Sequence, residues 1–300
     1  MMIIKHILLK VMKPLNNYIL KIICSDKPGI IAEVSNFLYK NKFNILESSQ
    51  FKDNKNSKFF MRVNFCPILP NTQLKDTNKL LMDFKDISSN FKMSVNLYDM
   101  TKKQNALIMV SKFGHCLNNI LYQWKLGSLK ANIPIIVSNH QDMREIVEQY
   151  GIKFIHLPVN KKNKVKQEKK LLKIIKENDI ELIVLARYMQ VLSKQMCNIM
   201  KGKIINIHHS FLPSFKGARP YNQAYIKGVK IIGATAHYVT ENLDEGQIIE
   251  QDVARVNHTK TLDDFISIGR DIENIVLYRA INWHIQHRVL MNNNQTIVFN

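Results

Sequence analysis

The sequence predicts an α/β protein of two domains, on the basis of three observations. The chain has 300 residues, more than one domain usually contains, and 46% of them are hydrophobic. Residues 18–98 alternate strand-like and helix-like runs in the order βαββαβ. From residue 106 onward, short apolar runs alternate with amphipathic ones, the pattern of buried parallel strands and their connecting helices. We therefore expect an antiparallel sheet with helices on one face, followed by an open, doubly wound, mostly parallel sheet.

The first predicted domain covers residues 18–99 and follows an extension at 1–17. Its strands are predicted at 18–24, 44–51, 58–65 and 91–98, and its helices at 30–40 and 72–88. A polar turn joins the second and third strands, as in a hairpin. This order of elements is typical of a ferredoxin-like sandwich.

The second predicted domain covers residues 104–300. Apolar runs predict buried strands at 106–110, 133–137, 154–157, 182–185, 203–207 and 231–238. Helical spacing predicts helices at 116–130, 142–150, 164–177, 193–200 and 262–288. Runs of this kind are typical of parallel strands in a doubly wound sheet.

Charge and composition exclude several classes of protein. No apolar run is long enough to span a membrane, so we expect no membrane association of that kind. The formal charge of +19 would suit a nucleic-acid partner if it were concentrated, but it is divided almost equally between the two predicted domains. The one basic run, 161–170, fits a solvated loop and helix start. Four separated cysteines without metal-type spacing predict a reduced chain in the cytoplasm.

Polar side chains gather at the end of one predicted strand and within the next. Asn206 and His208 lie at the end of the run 203–207, His237 lies in the following strand, and Asp244 lies in its exit loop. Ligands of doubly wound sheets bind at strand ends. An amide, imidazoles and a carboxylate suit acyl chemistry, which needs oxyanion donors, a proton-exchanging group and a group that orients water. Taken singly, each residue also fits a structural role, and a zinc site stays open although no HExxH supports it.

The segments Ile205–Pro220 (INIHHSFLPSFKGARP) and Gly233–Gln251 (GATAHYVTENLDEGQIIEQ) resemble the folate-dependent formyltransferase superfamily, in the form found in formyltetrahydrofolate deformylases. The residues to which the resemblance assigns catalysis are Asn206, His208, Asp244 and, as an accessory group, His237. It implies hydrolysis of 10-formyltetrahydrofolate to tetrahydrofolate and formate without a metal or a cofactor. The formate would supply purine synthesis.

The resemblance also implies binding sites. The residues expected to hold the pterin of the folate are Tyr188, Met189, Gln190, Val191 and Leu192. Gln190 stands where the superfamily most often has Arg, so Arg187 or a lysine would take over a contact to the folate glutamate. The opening loop of the first domain, Ser25–Ile30 (SDKPGI), resembles that of an ACT domain, a regulatory module. That likeness implies a homo-oligomer and an amino-acid effector near Asp26, Pro28, Gly29 and Ile30.

The loop after the first strand of the second domain favours a hydrolase over a transferase. In the purine-pathway transferases that the catalytic half resembles, this loop is rich in glycine and cradles a phosphate of the acceptor. Here it is Ser111–Leu117 (SKFGHCL), with one glycine and the bulky Phe113 and His115. Two alternatives stay open: a formyltransferase that uses the positive charge to contact tRNA, and a catalytically inactive amino-acid sensor.

Overall fold

The computed structural model describes residues 16–69, 76–213 and 220–300. The chain divides into two compact units between Lys102 and Lys103. Three predicted stretches lie outside the described residues: 1–15 of the extension, 72–75 of the predicted helix, and 214–219 of the motif around His208.

The first unit has the predicted ferredoxin-like order of strands and helices. Its elements are β1 (Tyr18–Ser25), α1 (Ile30–Lys40), β2 (Phe43–Asp53), β3 (Lys58–Pro67), α2 (Thr77–Asp83), α3 (Lys85–Asn90) and β4 (Ser94–Asp99). The four strands form an antiparallel sheet in the order β2-β3-β1-β4. Alternate residues of β1 join the core with the buried face of α1, where Ile30, Val34 and Phe37 follow helical spacing.

Two predictions for this unit were wrong in detail. Helix 72–88 is two helices, α2 and α3, which meet at the buried Phe84. The last strand begins at Ser94 instead of Phe91, because Phe91 ends α3 and Lys92 has a left-handed backbone, with φ of 51°. A residue in that conformation cannot extend a strand.

The second unit contains a seven-stranded sheet with helices on both faces. Its strands are β5 (Gln104–Val110), β6 (Ala131–Ser138), β7 (Lys153–His156), β8 (Leu182–Leu185), β9 (Ile204–His208), β10 (Ile231–Tyr238) and β11 (Ile248–Arg255). Its helices are α4 (His115–Lys125), α5 (Arg144–Gln149), α6 (Lys164–Glu177), α7 (Lys194–Ile199), α8 (Pro220–Ile226) and α9 (Leu262–Ile285). A hairpin of β12 (Val289–Asn292) and β13 (Gln295–Val298) follows.

The sheet order is β11-β10-β9-β8-β5-β6-β7. Strands β5 to β9 pair in parallel, which confirms the doubly wound prediction. Strand β10 was expected to be parallel as well, but it pairs antiparallel with both β9 and β11. An apolar run shows that a strand is buried without showing its direction, so the sequence pattern left this difference hidden.

Each face of the sheet has its own core. Along β5, Ala106, Ile108 and Val110 pack in the cluster that contains α4 and α9. The alternate residues Leu107 and Met109 pack with residues of α6 and α7 on the other face. Helix α9 ends at Ile285, three residues before the predicted end, because Gln286 caps it. Among the described residues, no helix combines the length and apolar character that crossing a bilayer requires.

Candidate active site

Register between β9 and β10 places three of the predicted residues on one face of the sheet. Asn206 lies directly opposite His237 in the antiparallel pair, and His208 is two residues beyond Asn206 along β9. Residues two apart on a strand, and residues directly opposite across a pair, share a face. The pairing register of β10 with β9 is therefore what brings His237 to Asn206.

The loop after β10 folds back over this face and brings Asp244 to the histidines. Asp244 Oδ2 lies 3.3 Å from His208 Nδ1, and Asp244 Oδ1 lies 3.7 Å from His237 Nε2. Asp244 has a left-handed backbone, with φ of 57°. Gly246 permits this close approach, because a Cβ there would lie 1.6 Å from the carbonyl oxygen of Tyr238.

Hydrogen bonds show which ring nitrogen of the buried His237 carries the proton. Its Nδ1 lies 2.9 Å from the carbonyl oxygen of Tyr238, so Nδ1 carries the proton and donates it. Nε2 then accepts from the Asn206 amide nitrogen, 3.2 Å away. Burial lowers the pKa of His237 and keeps this neutral form. His237 thus fixes Asn206 so that its nitrogen, a donor, faces this site.

His208 and Asp244 form a hydrogen-bonded pair in the site. The hydrogen bond from His208 lowers the pKa of Asp244 below its usual range, so Asp244 is a carboxylate that accepts from Nδ1 of His208. The other ring nitrogen of His208, Nε2, is buried and has no hydrogen-bond partner among the described residues. It is therefore available to a substrate.

A cavity of about 270 Å³ opens on these groups. All four predicted catalytic residues line it, and so do all five residues predicted to bind the pterin: Tyr188, Met189, Gln190, Val191 and Leu192. The segment 239–243 also lines it. A mostly apolar cavity with a few convergent polar groups suits a flat, aromatic ligand with one reacting end.

Sequence reasoning missed a second buried cluster, centred on Glu273 in α9. Glu273 is 1% exposed, accepts from Tyr221 Oη at 2.7 Å and His115 Nε2 at 2.9 Å, and lies 3.5 Å from Arg187 Nη1. Burial acts to raise the pKa of Glu273, but the His115 hydrogen bond and the Arg187 charge outweigh it and lower that pKa. The sequence signal that could have revealed this cluster is the position of Glu273 next to the apolar stripe of α9. Phe265, Ile272 and Val276 belong to that stripe.

One set of side chains in this cluster has the composition of a metal site. His115, Cys116 and Glu273 offer ligand atoms that lie within 4.8 Å of one another. Glu273 already has a cationic partner in Arg187, and burial raises the pKa of the Cys116 thiol well above its usual range. Zinc binds the thiolate, so this donor set fits zinc poorly.

The predicted effector residues of the first unit form an exposed turn. Asp26 pairs with Lys52 of β2 at 2.7 Å, and its backbone N–H donates to Ser57. Gly29 caps α1 with φ of 92°, and only Ile30 of the four is buried. The turn leaves the first N–H groups of α1 without a side-chain cap.

Both units match known families. Residues 104–281 match the formyl transferase family, and residues 18–83 match the ACT domain. A solved glycinamide ribonucleotide transformylase from Symbiobacterium toebii has a TM-score of 0.62 and 25% identity, over 68% of this chain and 98% of that one.

Full-length similarity is to deformylases. The chain is 43% identical over 279 residues to the formyltetrahydrofolate deformylase of Bacillus subtilis, covering 92% of both chains. The crystal structure of a formyltetrahydrofolate deformylase from Pseudomonas syringae pv. tomato has a TM-score of 0.92 and 40% identity, over 99% of this chain and 97% of that one. From the two matched domains, in this order, and this similarity along the whole length, the chain belongs to the formyltetrahydrofolate deformylase family.

Proposed function

We propose that this protein hydrolyses 10-formyltetrahydrofolate to tetrahydrofolate and formate, which supplies formate to purine synthesis. The observation that carries the proposal is the shared cavity, in which Asn206, His208 and Asp244 meet around one point. They supply an amide donor, an imidazole with a free ring nitrogen and a carboxylate, which attack by water on a formyl group requires.

Two groups stabilise the charge that forms on the formyl oxygen. Asn206 uses one amide N–H to bond His237 and directs the second to the oxygen. His208 directs its unpartnered Nε2 to the same oxygen, while Asp244 accepts from Nδ1 on the other side of the ring. Such donors act most strongly in a site that excludes water, and His208 is only 5% exposed.

Asp244 orients the water and accepts one of its protons. The water oxygen bonds to the formyl carbon, the carbon–N10 bond breaks, and N10 takes up a proton as tetrahydrofolate leaves. The second product is formate. His208 and His237 set the orientation of the Asp244 carboxylate, because each histidine lies close to a different one of its two oxygens.

The folate lies in the cavity with its pterin against 188–192. A lysine holds the folate glutamate in place of Gln190, because Gln190 has no charge and Arg187 is engaged by Glu273. We assign this role to Lys164, since Lys164 and Gln190 both line a narrow cleft of about 20 Å³ that shares residues 190–192 with the main cavity. The positive charge of Lys164 would attract the negatively charged glutamate carboxylate of the folate.

The ACT-like unit, residues 18–99, regulates the catalytic unit, residues 104–300. A small amino acid bound near Asp26, Pro28, Gly29 and Ile30 would act as the effector, through the backbone N–H groups at the start of α1. ACT-like units would pair in a homo-oligomer. The protein acts in the cytoplasm and uses no metal or cofactor.

The test is incubation of the purified protein with 10-formyltetrahydrofolate and no acceptor, beside the variant Asp244→Asn. We expect enzyme-dependent release of formate that the variant loses. No release without an acceptor, but formyl transfer once charged tRNA is added, would replace the proposal with a formyltransferase that uses the positive charge.

A further inference from the structure

The strand order creates a switch point at which a group of buried charges has no part in the proposed mechanism. The chain reverses its direction along the sheet between β5 and β8, and doubly wound folds bind ligands outside the carboxyl ends of the strands at such a point. The loops after these two strands meet here: the Ser111 N–H donates to the Arg187 carbonyl, and the Met189 N–H donates to Ser111 Oγ.

Buried charges fill the crevice at this switch point. Arg187 follows β8, His115 begins α4 after β5, and both contact the Glu273 carboxylate. Phe113, in the loop after β5, lies 5.9 Å from the guanidinium of Arg187. The side chains of His115, Arg187 and Glu273 are 16%, 10% and 1% exposed. These side chains therefore occupy the place at which such folds bind a ligand.

Arg187 has two features that cost stability. Its backbone is left-handed, with φ of 62°, a conformation that favours glycine. Its Nε is buried and has no hydrogen-bond partner among the described residues, and its buried Nη1 has only the 3.5 Å ion-pair contact to Glu273 in place of a hydrogen bond. Features of this kind cluster at functional sites.

Arg187 also adjoins the reacting groups. It lines the same cavity as Asn206, His208 and Asp244. His209 connects the two clusters: burial and then the charge of Arg187 lower its pKa to about 3, and the charges of His208 and Asp244 also act on it. Arg187 therefore lies between the switch-point crevice and the site of hydrolysis.

We propose that Arg187, held by Glu273 and His115, is a specificity-determining residue that closes the switch-point crevice to an amine substrate, so that water is the nucleophile that reaches the formyl carbon. This inference rests on the proposed hydrolysis. The similar fold of a glycinamide ribonucleotide transformylase shows that the scaffold is compatible with an amine acceptor. In such a transfer, the amine nitrogen bonds to the formyl carbon, the carbon–N10 bond breaks, and the proton that leaves the amine is balanced by the one that N10 gains.

Arg187→Gly tests the proposal, since glycine accepts the backbone conformation and removes the guanidinium. The assay gives the enzyme 10-formyltetrahydrofolate with glycinamide or glycinamide ribonucleotide and measures formylated amine against formate. We expect this ratio to rise by ~10-fold or more over the wild type, the range in which a reshaped pocket changes specificity. Arg270→Ala is the matched control, because Arg270 also lies 5.9 Å from Phe113 but is exposed to solvent, whereas Arg187 is buried against Glu273.

A second readout separates a specificity role from a purely structural one. Removing the positive charge of Arg187 should raise the pKa of His209, measured by NMR titration of the histidine ring, while Arg270→Ala leaves it in place. Arg187→Lys keeps the positive charge but has a smaller charged group. Its ratio of formylated amine to formate should therefore lie between those of the wild type and Arg187→Gly. If Arg187→Gly is unstable, Arg187→Lys carries the ratio measurement.

The outcomes separate this inference from the proposed function. Acceptor-free release of formate by the wild type tests the hydrolysis alone. If the wild type releases formate and folded Arg187 variants keep its ratio with both amines, Arg187 does not exclude the acceptor and the inference is wrong.

Discussion

At the scale of single residues, the site depends on where protons are held. The buried His237 donates from Nδ1 to Tyr238, so its Nε2 can only accept, and this turns the nitrogen end of the Asn206 amide into the site. An amide turned the other way would present an acceptor to the formyl oxygen and repel it. In the proposed reaction, the position of the proton on His237 thus decides whether Asn206 can stabilise an oxyanion.

The first prediction concerns Asn206. Asn206→Ala removes one oxyanion donor, which typically costs about 3–4 kcal/mol in the transition state, so turnover should fall roughly 100- to 1,000-fold. The rate of formate release at saturating substrate measures this turnover. Asn206→Asp, which keeps the size and loses the donor, should be similarly impaired. Near-wild-type turnover in both variants would remove Asn206 from the mechanism.

The second prediction concerns the carboxyl of Asp244. Its pKa is lowered first of all by the hydrogen bond from His208, so His208→Gln should raise that pKa. In the wild type, the stability that this low pKa contributes is present above the unfolded pKa, about 4, and is lost as the pH falls through the folded value. The variant should lose part of this stability. A carbon-13 titration of labelled aspartate, with Asp244→Asn to assign the signal, measures the shift, and an unchanged pKa would show that burial and charge dominate.

At the scale of elements, one strand pair and one loop assemble the site. The register of β9 and β10 sets Asn206 against His237, and the pairing of β10 with β11 shifts register at Ala236 and His237. Such bulges are common beside active sites, where they redirect a side chain. The loop 239–247 then returns Asp244 to the same face.

The third prediction tests that loop through Gly246. A methyl group there would lie 1.6 Å from the Tyr238 oxygen and 3.3 Å from His237 Nδ1, so Gly246→Ala must displace the loop that carries Asp244. We expect a lower melting temperature and a large loss of formate release. Gly228→Ala is the control: it has φ of 61° with open space around it, so backbone strain of roughly 1–2 kcal/mol should lower stability and spare activity. Equal losses of activity in the two variants would contradict this account.

At the scale of the whole molecule, the two units are built on separate cores, and the carboxylates of the two buried clusters in the catalytic unit are paired by protein side chains. Glu273 has Arg187, and Asp244 has His208. Both ring nitrogens of His237 are already engaged. These pairings leave few free ligand atoms for a metal.

The fourth prediction follows from that pairing. Dialysis against a chelator should leave formate release unchanged, and added zinc should not increase it. The measurement compares turnover before and after dialysis, with the metal content followed in parallel. Activity that falls on dialysis and returns with one divalent metal would overturn the proposed metal-free reaction.

Local patterns in the sequence predicted most of the strands and helices, because burial leaves a clear period in the run of apolar residues. They did not predict the direction of β10, nor α8, β11 and the hairpin β12–β13. Asn206, His208, His237 and Asp244 were predicted because they fall within or just after two successive strands, in segments that resemble the superfamily. Glu273 and its partners were not, because His115 and Glu273 are 158 residues apart and only the fold joins them.

The central claim is that this site directs water to a formyl carbon, and isotope transfer tests it most directly. The protein is given 10-formyltetrahydrofolate in water enriched in oxygen-18, without an acceptor, and the formate is analysed by mass spectrometry against an enzyme-free control. We predict rapid, enzyme-dependent formate that carries one oxygen from water, and its loss in Asp244→Asn. Formate released no faster than in the control, or only when an amine is present, would contradict the claim.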